Sequence, residues 1–270
     1  MAGRQTQRTD QSSDTPTRTP LEIRLAEPSI SFEQGDERCS VLLDGTWHEI
    51  RFHDYGKIFE IDGLYEQLFY DVLKCQSPTV VGDMLAKEIK RAGQTATDLR
   101  VLDLGAGNGL MGEEMVELGV ERVVGVDILP EAEQAARRDH PNIYREYHVL
   151  DISAPAPEQR ESLVSHRFSA LTCIAALGFD DIPPTAFTDA FNLVETGGWI
   201  AFTLKDTFLS EKDSSGFAYL VHRCVEDGVL DLRASERYQH RLSSNGSPLY
   251  YTAMVGIKKS HIPDQLVLDR

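Results

Sequence analysis

The sequence predicts an α/β fold built on a doubly wound, largely parallel sheet, and three observations predict it. Residues 100–109 (Arg-Val-Leu-Asp-Leu-Gly-Ala-Gly-Asn-Gly) read as a buried strand entering a glycine-rich turn, with Asp103 just before the first glycine. Two further apolar runs, residues 123–127 and 147–151, each end in an acid, Asp127 and Asp151. From residue 99 onward, strand-like runs alternate with helical periodicity until residues 233–258, where two strand-like runs flank Ser-Ser-Asn-Gly-Ser-Pro with no helix between them. Carboxylates at three successive strand ends describe a nucleoside-shaped site at the carboxyl edge of a parallel sheet.

Taken in order, residues 1–25 read as a disordered tail, since residues 1–20 are rich in Gln, Ser, Thr, Asp, Arg and Pro with nothing to bury. Residues 39–43 and 46–52 flank Asp44-Gly45, a strong two-residue hairpin signal. Pairing across it places Cys39, Val41, Leu43, Thr46, His48, Ile50 and Phe52 on one mostly apolar face. Ile61, Leu64, Tyr65, Leu68, Phe69, Val72 and Leu73 keep helical spacing, with Asp62 as cap. Ser77 as N-cap and Pro78 at the first helical position open a second helix that stops at Gly93, its buried stripe being Val80, Val81, Met84, Leu85 and Ile89.

The larger unit, residues 98–260, carries expected strands at 100–104, 122–126, 144–150, 170–175 and 199–204. Helices are expected from about residue 110 to Gly119, at 130–139 and 185–194, and around Phe217, Leu220, Val221, Cys224 and Val225. The last two strands form an antiparallel hairpin closing an otherwise parallel sheet. Residues 26–97 form a separate amino-terminal unit, and residues 261–270 a carboxy-terminal tail.

Bulk properties narrow the function. The 270 residues, 41% hydrophobic, suffice for one large α/β domain with an appendage. A formal net charge of −16 disfavours a general nucleic-acid partner, which needs clustered Lys and Arg. No apolar run spans a bilayer, and residues 3–20 lack the apolar core of a signal peptide, so no membrane partner is expected. Cys39, Cys75, Cys173 and Cys224 lie far apart without Cys/His metal spacing; no metal is expected, and a reducing, cytoplasmic setting follows.

Gly105 and Gly107, with Ala106 between them, and Gly109 let the backbone approach a ligand, and the helix that follows offers unpaired N–H groups. In a nicotinamide site that helix end would hold pyrophosphate, with Asp127 on a ribose diol. Leu110, however, occupies the third glycine position of a dinucleotide fingerprint. Asp103 would sit badly near pyrophosphate and suits an ammonium group better.

The segments Arg-Val-Leu-Asp-Leu-Gly-Ala-Gly-Asn-Gly, Val-Val-Gly-Val-Asp and His-Val-Leu-Asp-Ile resemble motifs I, II and III of the class I, Rossmann-like S-adenosylmethionine-dependent methyltransferases. The terminal strand–turn–strand resembles that family's reversed hairpin. The resemblance covers about residues 99–258 and implies a seven-stranded sheet of order 3-2-1-4-5-7-6 with strand 7 antiparallel. It also implies S-adenosylmethionine as cofactor. By it, Gly105 and Gly107 lie against the methionine part and Asp103 orients its ammonium, directly or through water. Asp127 holds the ribose hydroxyls with Ile128 beside the adenine, Asp151 takes the adenine amine, Ile152 flanks the ring, and the Ala175 backbone meets the methionine end.

The acceptor is less legible. No Asn/Asp-Pro-Pro-Tyr and no Pro-Cys follows the fourth sheet strand, which disfavours amino-methylation of bases or glutamine and attack on cytosine. Where the family often has a His pair stand Gly178 and Phe179, followed by Asp180 and Asp181, which could bind a substrate or simply cap the next helix. Residues 51–56 lie where family members carry a lid. His53 reads as a base near neutral pH or as a satisfied half-buried histidine, and Tyr55 as a cover over the methionine end or as core. Tyr65, Phe69 and Tyr70 read as core or pocket wall, and Lys205 and Asp206 as rim or solvated loop. The expected function is methylation of a small-molecule acceptor at O or N, by a monomer or homodimer. A protein methyltransferase and a non-catalytic S-adenosylmethionine-binding regulator stay open, and a nicotinamide oxidoreductase is disfavoured.

Overall fold

The computed structural model describes residues 20–27, 33–178, 181–209, 215–263 and 265–268. Strands β1 (Ile23–Leu25), β2 (Arg38–Leu43) and β3 (Thr46–Arg51) form a three-stranded antiparallel sheet. Asp44 and Gly45 both take positive φ, 48° and 79°, the turn that Asp-Gly favours, so Leu43 faces Thr46 and Cys39 faces Ile50. Cys39, Val41, Ile50 and Phe52 are buried against Leu64, Leu68 and Leu73. Strand β1 lies within the residues that the sequence assigned to the tail; it is ordered because Ile23 pairs with Val41.

Helix α1 (Tyr55–Glu60) begins within residues 51–56, the stretch set where family members carry a lid. Helix α2 (Leu64–Glu66) then runs into a π-helical segment, Gln67–Val72. Asp62 is not the cap: the left-handed backbone of Gly63 precedes α2, and the Asp62 carboxylate instead lies 3.3 Å from Arg138 Nε. The wider π turn rotates the apolar stripe, leaving Val72 36% exposed while Leu68, Phe69 and Leu73 stay buried. Helix α3 (Ser77–Arg91) buries Val81, Met84, Leu85 and Ile89. Its Ser77 hydroxyl makes no cap, because it bonds His240 Nδ1 at 2.7 Å and the Tyr238 hydroxyl at 2.5 Å.

The main sheet comprises β4 (Arg100–Leu104), β5 (Arg122–Asp127), β6 (Glu146–Val149), β7 (Ala170–Cys173), β8 (Trp199–Lys205), β9 (Leu230–Leu242) and β10 (Pro248–Lys258). Its order, β6-β5-β4-β7-β8-β10-β9, is the expected 3-2-1-4-5-7-6 when counted from β4, with β10 antiparallel to both neighbours. The intervening helices are α4 (Leu110–Glu117), α5 (Pro130–Asp139), α6 (Pro157–Ser165), α7 (Pro184–Leu193) and α8 (Phe217–Glu226). Helix α6 escaped sequence reading because Leu163 is its one buried residue, too little for a periodic signal. One core packs Phe187, Phe191, Phe202 and Phe217 on one side of the sheet, and another packs Val81, Leu85, Met115 and Trp199.

The segment assigned to the carboxy-terminal tail is also anchored. Ile262 is buried and exchanges hydrogen bonds with the Asn192 side chain at 2.9 and 3.0 Å, ahead of α9 (Gln265–Leu268). The four cysteines are free thiols, and Cys39, Cys173 and Cys224 are buried. Among the described residues no helix is long and apolar enough to cross a membrane.

Candidate active site

The order of the sheet reverses between β4 and β7, and a cavity of about 670 Å³ opens at the carboxyl ends of β4, β5, β6 and β7. The glycine loop forms its floor. Gly105 has φ 69°, and a Cβ there would come within 2.9 Å of Ala176 and Ile182; at Gly107, φ 54°, it would meet Phe59 at 3.3 Å. Only glycine gives the loop this shape and this closeness to the cavity. The Gly105 and Ala106 N–H groups donate to the Val126 carbonyl, which binds the loop to the end of β5.

The three strand-end acids take different places. Asp127 lines the cavity, its Oδ2 accepting the Gly107 N–H at 2.9 Å and Oδ1 the Leu129 N–H at 3.0 Å. Burial raises its pKa, against the lowering effect of those N–H groups. Asp151 lines the cavity at its exposed side, Oδ1 accepting from the N–H and hydroxyl of Ser153. Ile128 and Ile152 flank them, the first 61% exposed and the second buried. Asp103 does not reach the cavity wall. It is 1% exposed behind the loop, with Tyr144 and Thr172 hydroxyls each donating to it at 2.7 Å. Burial pushes the Asp103 carboxyl up to about 6, although both hydroxyl donors favour its ionised form.

Sequence reasoning missed the two tyrosines that hold this loop. Tyr144 donates to Asp103, and Tyr147 donates to the Gly107 carbonyl at 2.8 Å. Asn108, buried, adds a third tie: its amide donates to Glu66 Oε1, which also lies 3.0 Å from His140 Nε2. The Tyr-x-x-Tyr spacing ahead of the third acid was the available signal, but it acquires meaning only across the sheet.

Residues 53–57 of the amino-terminal unit line the cavity opposite Ile174–Ala176 and Asp181. His53 Nδ1 lies 3.1 Å from Asp181 Oδ2, so the structure brings together the two residues singled out for catalysis although 128 positions separate them. Tyr55 packs between His53 and Phe59. Ala175 takes a left-handed φ of 57° and donates its N–H to the Thr203 hydroxyl at 2.7 Å. Gly178 accepts the Asp181 N–H at 3.0 Å, while Phe179 and Asp180 lie outside the described residues.

Behind Tyr55 a smaller chamber of about 60 Å³ shares His53, Tyr65, Gly105 and Ala175 with the cavity. Its far wall is Gln34, Tyr70, Cys75, His240, Arg241 and Tyr251. Arg241 is 3% exposed and donates to Glu37 Oε2 at 2.6 Å, and Glu37 Oε1 accepts the Ser244 N–H at 2.5 Å. Burial pushes the Tyr55, Tyr65 and Tyr70 hydroxyls and the Cys75 thiol up, so all four stay protonated. Burial, with the Arg241 charge, pushes His240 well down. Lys205 and Asp206 line neither the cavity nor the chamber. Lys205 pairs with Tyr251 across the strands, and Asp206 accepts from Arg237 at 2.6 Å and from Thr252 at 3.2 Å.

Residues 81–243 match the family described as methyltransferase domain. Among curated proteins the chain is similar to a ubiquinone biosynthesis O-methyltransferase of Serratia proteamaculans, 27% identical over 191 residues, or 67% of this chain and 74% of the relative. Another, from Albidiferax ferrireducens, is 29% identical over 109 residues, 38% of this chain and 40% of the relative; that match therefore spans well under half of the relative's length. Among solved structures, the magnesium protoporphyrin IX methyltransferase of Synechocystis PCC 6803 superposes with a TM-score of 0.49 at 11% identity, covering 77% of this chain and 91% of that one. With its family match over more than half of its length, this chain belongs to the class I S-adenosylmethionine-dependent methyltransferases.

Proposed function

We propose that the protein methylates a small-molecule acceptor, at oxygen in preference to nitrogen, with His53 as base and Asp181 as the group that orients it. The cavity residues fit the family's cofactor. Gly105 and Gly107 keep open the space a Cβ would fill, and Asp127 retains acceptor capacity for two ribose hydroxyls beyond its backbone bonds. Ile128 and Ile152 offer apolar faces for an adenine, Asp151 an acceptor for its amine, and the Ala175 backbone and Tyr55 a boundary at the methionine end. When bound, S-adenosylmethionine supplies a methyl group activated on a sulfonium. Asp103 acts from behind the loop, fixing its shape through Tyr144.

The observation that carries the proposal is the His53–Asp181 pair at the border of the two chambers. Donation from Nδ1–H to Asp181 places the ring's lone pair on Nε2, the form that accepts a proton from a hydroxyl. The phenols and thiol around it, held protonated by burial, serve to orient and to exclude water rather than to take a proton. Phe52, Tyr65, Phe69 and the Arg241 guanidinium line the smaller chamber, whose volume of about 60 Å³ suits a polar substituent of an acceptor seated in the larger cavity rather than the whole acceptor. Oxygen is favoured because the curated relatives act as O-methyltransferases.

Two measurements test this. Incubation with methyl-labelled cofactor and a cell extract is expected to label the small-molecule fraction; label confined to protein overturns the acceptor class. With the acceptor in hand, His53→Gln is expected to lower kcat by about 10²–10⁴-fold. Asp181→Asn should lower it less, and both should keep S-adenosylhomocysteine affinity. Undiminished turnover in both variants removes the assigned roles.

A further inference from the structure

A cluster on the opposite edge of the sheet from the terminal hairpin has no part in the site above. Glu146 and His148 alternate along β6, the outermost strand, and so project from the same face. His166 follows the last turn of α6 and faces them, its ring stacked at 5.3 Å on Phe168. Glu146 Oε2 lies 3.4 Å from His148 Nε2 and 3.4 Å from His166 Nε2. One ligand atom from each of the three residues lies within 4.8 Å of the others.

Both Nε2 atoms are shielded from solvent, and the Glu146 oxygen 3.4 Å from each falls short of good hydrogen-bond geometry. Shielded imidazole nitrogens that are poorly satisfied are costly, and an arrangement that aims two of them at one carboxylate calls for a common occupant. The contacts are longer than an ordinary N–H···O bond. They do match a metal: ligands about 2.05 Å from a tetrahedral ion stand about 3.3 Å apart. Two imidazoles and a carboxylate are also a borderline donor set, suited to Zn²⁺ rather than to Ca²⁺ or Mg²⁺.

The geometry points to a Zn²⁺-binding site formed by Glu146, His148 and His166, with water completing the tetrahedron. Short-range Cys/His spacing does not reveal it, because these ligands come from an edge strand and a turn 18 residues on. An ion there would clip β6 to the α6–β7 turn. It would thereby close the loop that carries Leu150–Ser153, which lines the cavity. The site is a brace, remote from the reacting groups, and stands whether or not the acceptor proposal does.

The test uses the full chain without a polyhistidine tag, stripped with chelator and titrated with Co²⁺ and then Zn²⁺. Saturation at about one ion per chain, the visible absorption of tetrahedral Co²⁺ and a rise in Tm are expected. His148→Asn and His166→Asn should each weaken Zn²⁺ binding by at least about 100-fold, more than loss of an outer-shell partner. Glu146→Gln, exposed and able to fold, should weaken it as well. S-adenosylhomocysteine binding by each variant reports that it is folded. Absence of saturable binding in the wild-type chain overturns the site, as does Zn²⁺ affinity unchanged in the three folded variants.

Discussion

Asp103 illustrates how a single buried carboxyl couples the cofactor loop to pH. Burial raises its pKa from 3.8 to about 6, so the native state keeps this proton longer than the unfolded chain does. Its contribution to stability is therefore greatest below pH 3.8 and is lost as pH rises to about 6, by on the order of 3 kcal/mol. Urea denaturation of the wild type and of Asp103→Asn between pH 4 and pH 7 checks this. The wild-type advantage should shrink across that interval, and a difference that stays level with pH would contradict it. Asp127 and Asp151 were legible because a strand end and a tight turn fix where an acid points. Asp103 was legible as an acid but not as a buried one. Its surroundings come from Tyr144 and Thr172, 41 and 69 residues away, and a local pattern does not encode such pairings.

At the scale of elements, sequence periodicity found what is regular and apolar: β4 to β8, the terminal hairpin and the amino-terminal hairpin. It missed α1, whose six residues are too few to display a period, and α6, whose exposed surface dilutes it. It also missed how α7 ends. The Lys258 ammonium, fully buried on β10, donates to the carbonyls of Phe191, Asn192 and Val194 at 2.6–3.1 Å. Carbonyls at a helix end lack intrahelical partners, and a cation there also meets the negative end of the helix dipole. Lys258→Met keeps the apolar stem and strands three carbonyls, so a loss of about 2–4 kcal/mol is expected by chemical denaturation. A variant as stable as the wild type would mean that water can take the ammonium's place.

For the whole molecule, the cavity lies where four strand ends, the glycine loop and the amino-terminal unit meet, so a ligand in it touches all of them. S-adenosylhomocysteine at 100 times its Kd should stabilise the native state by about 2.7 kcal/mol. For a chain of this size that is a rise in Tm of about 5–10 °C, read by calorimetry or dye-monitored melting. A ligand-induced rise confined to a partial, early transition would show instead that the amino-terminal unit melts on its own.

The Glu37–Arg241 pair argues against such independence and has a consequence during synthesis. Glu37 receives its two partners from Arg241 and Ser244, 204 and 207 residues further on. A chain emerging from the ribosome therefore makes Glu37 a full 204 residues before the arginine that secures it. Until then the Glu37 carboxylate lacks its native partners, and the Phe52 and Phe69 rings lack the Arg241 guanidinium that lies over them, so nascent chains stalled before residue 241 should be the aggregation-prone ones.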